Sequence, residues 1–279
     1  MNTSSASAPH DTIAFIGGGN MASAIIGGLV RQGHPADRIA VVEPWAEARV
    51  KLRADYGVAA EEAAGPQLKS AAVVVWAIKP QMFKAAAEPV RTYASQALHL
   101  SVAAGIRSDS IAQWLATERI VRSMPNTPAL VGKGMTALFA RPAVSQEDRA
   151  RVENIIATTG EHLWVTQETQ LDAVTALSGS GPAYVFFFIE AMVKAGTAMG
   201  LTPEQAHQLA VGTFVGASEL ARRSDEPPAV LRQRVTSKGG TTYAAITSME
   251  QDKVQEQFIR AMQAACDRAH ELGNEFGAG

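Results

Sequence analysis

Apolar and polar positions in the first half of the chain follow two patterns, short apolar runs and longer segments with helical spacing. Residues 13–16 form a strand-like run, and beyond a turn at 17–22 apolar side chains recur every three or four positions. The residues on this spacing are Met21, Ile25, Ile26 and Leu29. This order predicts a strand, a glycine turn and a helix with one buried face.

Similar apolar runs predict further strands, most of which end at a turn. They are Ile39 to Glu43, Ala71 to Ile78, Ala97 to Val102, Ile120 to Met124, Gly134 to Ala140 and His162 to Val165. Helices are predicted at 46–56, closed by Gly57, and at 146–158. Because strands alternate with helices, we expect an α/β fold with a parallel, doubly wound sheet.

Ligands of an open parallel sheet lie outside the carboxyl ends of its strands. The turns expected at that edge are the glycine turn and the loops 79–80, 103–105 and 125–128. We expect these turns to line one crevice, with Asn126 in its wall. The loop around Asn126 also fits a rigid proline turn without a ligand.

The glycine turn has the composition of a dinucleotide-binding loop. Gly17 and Gly19 allow a tight turn and a close approach of the backbone to a pyrophosphate, and Ala22 lets the helix pack on the strand. Glu43 ends the second strand, where a carboxylate binds ribose hydroxyls in such sites. An ordinary glycine-rich turn is the alternative. The strand–turn–helix order and the second strand favour the dinucleotide site.

From residue 170 onward, helix signals follow one another to the C-terminus. Pro182 fits the first turn of one helix, and Thr202-Pro203-Glu204-Gln205 combines a first-turn proline with the spacing of a capping box. The second half is therefore predicted to be all helical.

Residues 183–201 are apolar on almost every side of a helix. Such a helix must be buried on almost every side, which predicts a subunit interface, with a central helix in a monomeric bundle as the alternative. Glu190 and Lys194 interrupt the run and argue against a membrane span.

Composition and charge limit the number of domains and the kinds of partner that the chain can have. With 279 residues, 47% of them hydrophobic, the chain can form two soluble domains, predicted at 11–166 and 167–279 after a disordered tail at 1–10. The tail does not resemble a signal peptide, so a cytoplasmic protein is expected. A net charge of −2 offers no basic surface for nucleic acid or a membrane, and indicates a small-molecule partner. Cys266 is the only cysteine and the six histidines lack ligand spacing, so no metal site is predicted.

The segment Ser237-Lys238-Gly239-Gly240-Thr241-Thr242 is the best candidate for a substrate site. Two glycines followed by two threonines at a helix start present free amides and hydroxyls, which suit a carboxylate. A plain connection between two helices is the alternative.

Taken together, these residues closely resemble the pyrroline-5-carboxylate reductase family over nearly the whole chain after the tail. The resemblance rests on five segments: Ile16-Gly17-Gly18-Gly19-Asn20-Met21, Ala77-Ile78-Lys79-Pro80-Gln81, Arg122-Ser123-Met124-Pro125-Asn126-Thr127-Pro128, Ala176-Leu177-Ser178-Gly179-Ser180-Gly181-Pro182-Ala183-Tyr184 and Val235-Thr236-Ser237-Lys238-Gly239-Gly240-Thr241-Thr242. The last two are specific to this family rather than to dinucleotide-binding folds in general.

The resemblance implies an N-terminal Rossmann-like sheet domain and an all-helical dimerisation domain that interlocks two subunits. It further implies a homodimer, with a pentamer of dimers as a higher assembly. The implied reaction is hydride transfer from NADPH or NADH to C5 of 1-pyrroline-5-carboxylate, which gives L-proline in the last step of proline biosynthesis. Because a protonated imine is already electrophilic, the protein mainly has to orient it against the cofactor.

Carried over by motif, the site divides into two sets of residues. The substrate carboxylate would be held by Ser237, Gly239, Gly240 and Thr241. The Thr242 hydroxyl would form a hydrogen bond with the ring nitrogen, which makes Thr242 the nearest equivalent of a catalytic residue. The expected cofactor-binding residues are Gly17, Gly19, Asn20, Met21, Glu43, Ala77, Lys79, Pro80 and Asn126. Since the family builds its site between subunits, the 237–242 loop is expected to face the partner's cofactor.

Two departures from the family leave the cofactor open. Glu43 stands where many relatives carry Ser, Arg or Lys for the NADP 2′-phosphate, which favours NADH. Ala63 and Ala64 lie where relatives often carry an Asn near the adenine, while Arg49 remains available for a phosphate. Two other functions are considered. One is a β-hydroxyacid dehydrogenase, for which Lys194 is the only and a poor candidate for the catalytic lysine. The other is a regulatory or scaffold protein that binds the nucleotide without turnover.

Overall fold

The apolar runs of the first half become one eight-stranded sheet in the computed structural model, which describes residues 11–277. The predicted tail at 1–10 lies outside the described residues. The strands are β1 (Thr12–Ile16), β2 (Ile39–Val42), β3 (Ala60–Glu61), β4 (Ala71–Trp76), β5 (Leu98–Ser101), β6 (Ile120–Met124), β7 (Gly134–Ala140) and β8 (Gly160–Trp164). The predicted strands are confirmed, and the two-residue β3 is an addition.

The strand order β3-β2-β1-β4-β5-β6-β7-β8 confirms the doubly wound α/β fold. Strands β1 to β6 are parallel, β7 runs antiparallel to β6, and β8 is parallel to β7. The order reverses between β1 and β4, which is where a dinucleotide binds in folds of this kind. The carboxyl ends of six strands therefore meet at one edge, as predicted.

The helices complete this layer and form the second half of the chain. They are α1 (Asn20–Arg31), α2 (Ala46–Tyr56), α3 (Pro80–Ala94), α4 (Ser108–Leu115), α5 (Gln146–Ile156), α6 (Gln170–Val174), α7 (Gly181–Ala198), α8 (Pro203–Arg223), α9 (Pro228–Arg234), α10 (Thr241–Gln251) and α11 (Val254–Gly277). The predicted cap is confirmed, because Gly57 ends α2 with φ +70°. The capping box is also confirmed, since the side chains of Thr202 and Gln205 each accept the other's amide at the start of α8.

The continuous apolar run of β4 is buried on both faces of the sheet. Val73 and Val75 join the cluster that contains Ile25 and Ile26 of α1. Val74 and Trp76 join the cluster on the other face. A strand covered on both sides needs apolar residues at every position, which explains why this run does not alternate.

Contacts divide the chain into two compact units. Among the described residues, 11–179 and 266–277 form the sheet unit, and Ser180–Ala265 form the helical unit. The predicted division between 166 and 167 follows the change in secondary structure. The contact grouping differs because α6 and the final turns of α11 belong to the sheet unit.

In the helical unit, α7 packs only one side against its own chain. Tyr184 and Phe188 meet Phe258 edge-on, with ring centroids 5.4 and 5.7 Å apart. Phe186 and Phe187 are 60% and 67% exposed. Among the described residues, the helical segment Gln170–Ala198 is long and apolar enough to cross a membrane by length and composition, and little of it is buried in this chain. A single chain thus leaves apolar helix surface uncovered, as the predicted subunit interface requires.

A buried histidine links two strands of the sheet. The Trp76 indole N–H donates to Nδ1 of His99 at 3.0 Å, and the ring also has a hydrogen bond to the Ala94 backbone. His99 is 1% exposed, and its burial lowers the pKa to about 4, with the positive charge of Arg119 acting in the same direction. The core therefore holds this imidazole in its neutral form.

Acid should weaken the fold through His99. Between pH 6.5 and about 4 the unfolded chain binds a proton at His99 that the folded chain does not, so stability is full above that window and falls with pH through it. The His99 share of the loss is expected to reach about 3 kcal/mol. Urea unfolding of the wild type and His99→Asn between pH 7.5 and about pH 4.5 measures it. The variant should be weaker at neutral pH and show a flatter profile; parallel profiles would contradict this role.

Candidate active site

The turn between β1 and α1 brings the backbone against the end of β4. Gly17 has φ +97°, and a Cβ placed there would lie 2.5 Å from the Ala77 carbonyl oxygen. Gly19 is the N-cap of α1, supplies no side-chain cap, and a Cβ there would meet nothing within 4 Å. The first amides of α1 thus face open space, an arrangement suited to a pyrophosphate.

Asn20 and Met21 begin the helix that follows this turn. Asn20 is exposed as the first residue of α1, and the half-buried Met21 packs against the core. Ala22 is fully buried, in agreement with its expected packing between helix and sheet. The side chain of Asn20 is therefore free of core packing at the mouth of the glycine turn.

The Glu43 carboxylate joins the end of β2 to the glycine turn. Its Oε2 accepts the Gly18 N–H at 2.7 Å, and its Oε1 accepts the Trp45 N–H at 2.9 Å. The residue is 6% exposed. Each carboxylate oxygen can accept a second hydrogen bond, so the group can still bind hydroxyls while it fixes the loop.

Arg49 is less available for a phosphate than its sequence position indicates. Its Nη1 donates to the carbonyl oxygens of Glu43 and Pro44 at 2.8 and 2.7 Å. Its Nη2 lies 3.7 Å from the Glu62 carboxylate. The guanidinium thus stabilises the main chain directly after β2.

The segment from Ala77 to Pro80 continues β4 into α3 at the same edge. The Ala77 N–H donates to the Ile16 carbonyl at 2.8 Å, which extends the pairing of β1 with β4. Lys79 is exposed as the N-cap of α3, and Pro80 is the first residue of that helix. Ala77 therefore contacts the glycine turn directly, whereas Lys79 projects beyond the sheet edge.

Asn126 lies at the same edge, after β6, and its side-chain amide is hydrogen-bonded to other residues of the protein. Its Nδ2 donates to the carbonyl oxygen and to Oγ of Ser178, both at 3.2 Å, and its Oδ1 accepts the Met135 N–H at 2.9 Å. The residue caps a short 3₁₀ turn, Thr127–Val131. The structure thus places Asn126 at the carboxyl end of β6 with its side-chain amide turned to protein partners, and its place in a cofactor crevice stays a prediction.

Sequence reasoning missed the contact role of Ser178 and Gly179. They belong to a π-helical turn, Thr175–Gly179, inserted between α6 and α7. A Cβ on Gly179 would clash with Cε of Met124 at the end of β6. The available signal was the Ser-Gly-Ser-Gly run, but nothing in that pattern specifies its partner.

The loop after β5 also reaches this edge. Gly105 has φ +74°, and a Cβ there would lie 3.2 Å from both Leu272 Cβ and Phe276 Cδ2 of α11. Arg107 donates to Asn274 Oδ1 at 3.2 Å. The final turns of α11 therefore pack against the loop at 103–105.

The predicted substrate residues lie together in the helical unit. Gly239 has φ +79°, Gly240 is the N-cap of α10, and Thr241 and Thr242 are its first two residues. The Gly240 N–H donates to the Ser237 carbonyl at 3.0 Å, which closes the turn. Ser237, Gly239, Thr241 and Thr242 are exposed in the single chain. The segment is a helix start with exposed hydroxyls, and its Gly240 amide is used within the turn.

A metal centre finds no support in the described part of the chain. Within residues 11–277, His, Cys, Asp and Glu side chains do not form a group of three or more that could hold a metal ion. The candidate cofactor residues of the sheet unit comprise backbone amides, one buried carboxylate and an exposed lysine, and the candidate substrate residues of the helical unit comprise amides and hydroxyls.

These features define a class of protein: a nicotinamide-dinucleotide oxidoreductase with a doubly wound cofactor domain and a helical second domain. Residues 12–105 match the family model described as NADP oxidoreductase coenzyme F420-dependent, and residues 168–272 match the model for pyrroline-5-carboxylate reductase dimerisation. The chain belongs to the pyrroline-5-carboxylate reductase family, a family of NAD(P)-dependent oxidoreductases.

Individual relatives match along nearly their full length. The pyrroline-5-carboxylate reductase of Pseudomonas aeruginosa is 42% identical over 267 residues, which are 95% of this chain and 98% of the relative. The solved structure of the Coxiella burnetii enzyme has a TM-score of 0.89 at 38% identity and covers 95% of this chain and 99% of its own. A Plasmodium falciparum pyrroline carboxylate reductase with NADP bound has a TM-score of 0.85 at 27% identity, over 95% and 98% of the two chains.

The two flanking glycines of the turn should respond differently to alanine. Gly17→Ala places a Cβ against the Ala77 carbonyl at positive φ, so it should cost about 2 kcal/mol or more of stability and abolish cofactor binding. Gly19→Ala has space and φ −72°, so it should cost at most about 1 kcal/mol while still weakening NAD(P)H binding, because the methyl occupies the pyrophosphate space. Urea unfolding and fluorescence titration measure the pair. Unaltered affinity in Gly19→Ala would remove Gly19 from the site.

Proposed function

We propose that this chain reduces 1-pyrroline-5-carboxylate to L-proline with NADPH or NADH, the last step of proline biosynthesis. The observation that carries the proposal is the 42% identity to a pyrroline-5-carboxylate reductase across 95% of the chain, which includes the glycine turn and the 237–242 loop. Both segments have the backbone geometry that the reaction needs, an open helix N-terminus in each case.

The chemistry needs orientation more than acid–base catalysis. The bound nicotinamide supplies a hydride from its C4, which adds to C5 of the substrate ring. As the new C–H bond forms, the π electrons of the protonated C=N bond become the lone pair of the product amine. The protein therefore has to hold the iminium carbon in line with the hydride and exclude water.

The start of α10 is suited to holding the substrate carboxylate. Ser237, Gly239 and Thr241 bring main-chain amides and two hydroxyls to one exposed turn, which the Gly240 amide closes by donating to the Ser237 carbonyl. A helix N-terminus adds a favourable dipole for an anion. With the carboxylate fixed there, the hydroxyl of Thr242, the next residue of the helix, forms a hydrogen bond with the ring nitrogen of the substrate.

Thr242→Ala should lower kcat/KM for 1-pyrroline-5-carboxylate about tenfold or more, because one transition-state hydrogen bond is lost. Thr242 is exposed in the single chain, so its truncation should leave the fold intact. Thr242→Ser retains the hydroxyl and serves as the matched control. Steady-state kinetics measure both variants; equal efficiencies in the wild type and Thr242→Ala would exclude the hydroxyl from the mechanism.

Glu43 favours NADH over NADPH. Its buried carboxylate is fixed by Gly18 and Trp45, so it cannot easily move away from a 2′-phosphate. Arg49, the nearby cation, is held by two carbonyl oxygens. The carboxylate can accept ribose hydroxyls, whereas it repels a phosphate.

Glu43→Gln should shift the ratio of kcat/KM for NADPH to that for NADH upward by about tenfold, because the charge repulsion is removed while the side-chain shape is kept. Glu62→Gln removes a nearby charge whose side chain is 77% exposed, and should leave the ratio unchanged. Parallel assays with the two cofactors give the ratio. The same small shift in both variants would place Glu43 away from the ribose.

The assembly we infer is an interlocked dimer, with a pentamer of dimers as the higher form. The exposed apolar side of α7 and the match of residues 168–272 to the dimerisation model support a homo-oligomer. A second subunit that covers this helix also supports a cytoplasmic protein rather than one inserted in a membrane. The net charge of −2 argues against a role in nucleic-acid binding.

Because the 237–242 loop is exposed in one chain, we expect it to meet the cofactor of the partner. Sedimentation velocity with activity measured across dilution tests this; an active monomer would contradict it.

The reaction itself is tested by following the nicotinamide absorbance with 1-pyrroline-5-carboxylate and each cofactor. Turnover with formation of proline is the expected result. Nucleotide binding without turnover would favour a regulatory nucleotide-binding protein. Turnover of a β-hydroxyacid in place of the imine would favour the dehydrogenase reading, in which Lys194 would have to act.

A further inference from the structure

The side-chain amide of Asn126 is committed to two separate segments of the sheet unit. Both Nδ2 contacts go to oxygens of Ser178, and Oδ1 receives the Met135 N–H from β7. A neutral amide offers two N–H donors and one oxygen, so the Nδ2 group is directed at Ser178 and the oxygen at Met135. Asn126 therefore fastens the loop after β6 to the π-helical turn on one side and to β7 on the other.

A second contact between the same segments is apolar. Gly179 lies so close to Met124 that a Cβ at Gly179 would clash with the methionine Cε. The π-helical turn thus packs closely on the last residue of β6. π-Helix is rare, appears mostly as single turns inside α-helices, and is frequent at functional sites.

The loop held by these contacts borders the cofactor crevice. β6 is parallel to β1 and β4, so its carboxyl end lies at the same edge as the glycine turn. The 3₁₀ turn Thr127–Val131 packs against α1, the helix that follows the glycine turn. In doubly wound folds the β4–β6 half holds one mononucleotide of the cofactor and the β1–β3 half holds the other. With the adenine ribose at Glu43 in the first half, the Asn126 loop lies on the nicotinamide side.

We propose that Asn126 is a positioning residue that, through Ser178, holds the loop after β6 against the nicotinamide half of the cofactor, and does not bind the cofactor through its own amide. This inference rests on the proposed function, because it assumes a nicotinamide dinucleotide in the crevice. It accounts for an Asn at a cofactor-facing turn whose amide points to protein partners.

Two variants break the contact in different ways. Asn126→Asp keeps an acceptor for the Met135 N–H but replaces the donors to Ser178 with an oxygen, which repels the Ser178 carbonyl. Ser178→Ala removes one of the two acceptors and leaves the carbonyl in place, so it is the milder change and should fold. Asn154→Asp, on the exposed side of α5, makes the same chemical change away from the crevice.

Binding of NADH and of ADP-ribose, which lacks the nicotinamide, separates positioning from general destabilisation. Asn126→Asp should raise the Kd for NADH about tenfold and leave that for ADP-ribose within about twofold, while Ser178→Ala shows the same split at about threefold. Asn154→Asp should change neither. In turnover assays KM for the nicotinamide cofactor should rise more than kcat falls.

Other outcomes contradict the proposal. An equal loss of NADH and ADP-ribose affinity would mean that the contact only stabilises the fold. Unchanged affinity for both would mean that the loop needs no such support, and a split in Asn126→Asp without one in Ser178→Ala would indicate direct contact of Asn126 with the cofactor. Binding of NADH by the wild type without turnover of 1-pyrroline-5-carboxylate would contradict the proposed function alone, since the split remains measurable.

Discussion

The main chain at Gly17 passes within contact distance of the Ala77 carbonyl, where the first strand of the sheet gives way to its first helix. A side chain at Gly17 would clash with backbone, and its φ of +97° disfavours any L-residue. The close approach lets α1 begin directly over the edge where the parallel strands end. The pairing of Ala77 with Ile16 and the bond from Gly18 to Glu43 then fix that turn from both neighbouring strands. A cofactor site made of backbone amides depends on this placement, because amides cannot adjust as side chains do.

The helical unit is subject to a different constraint, which is uncovered apolar surface. A soluble chain does not keep two phenylalanines of one helix more than half exposed without a partner, because burial of each side chain is worth roughly 2 kcal/mol. The same unit carries the 237–242 loop, whose groups are exposed in the single chain. Association that covers this surface would therefore stabilise the unit that carries the 237–242 loop.

The sequence predicted those elements that are determined by residues close together in the chain. The run in β4, the Gly57 cap and the capping box at Thr202 each depend on residues within a few positions, so they could be read directly. β3 is two residues long and has no pattern of its own. The partners of Glu43 and Asn126 are 25 and 52 residues away, and no spacing rule specifies them. The π-helical turn likewise depends on packing against Met124, a contact between segments far apart in the chain.

The residue types of the site fit the small chemical demand of the reaction. A protonated imine accepts a hydride without help from a strong acid, so the proposed site needs only glycine, serine and threonine at two helix starts for the phosphates and the carboxylate. Because these groups provide no strong acid or base, the rate depends on how precisely they position the substrate against the cofactor. A displacement of about 1 Å between the reacting atoms can lower the rate a hundredfold. The hydrogen bonds from Gly18 to Glu43 and from Asn126 to Ser178 fix the loops next to the proposed site. In the proposed mechanism, contacts that do not touch the reacting atoms therefore contribute to the rate by holding these loops in place.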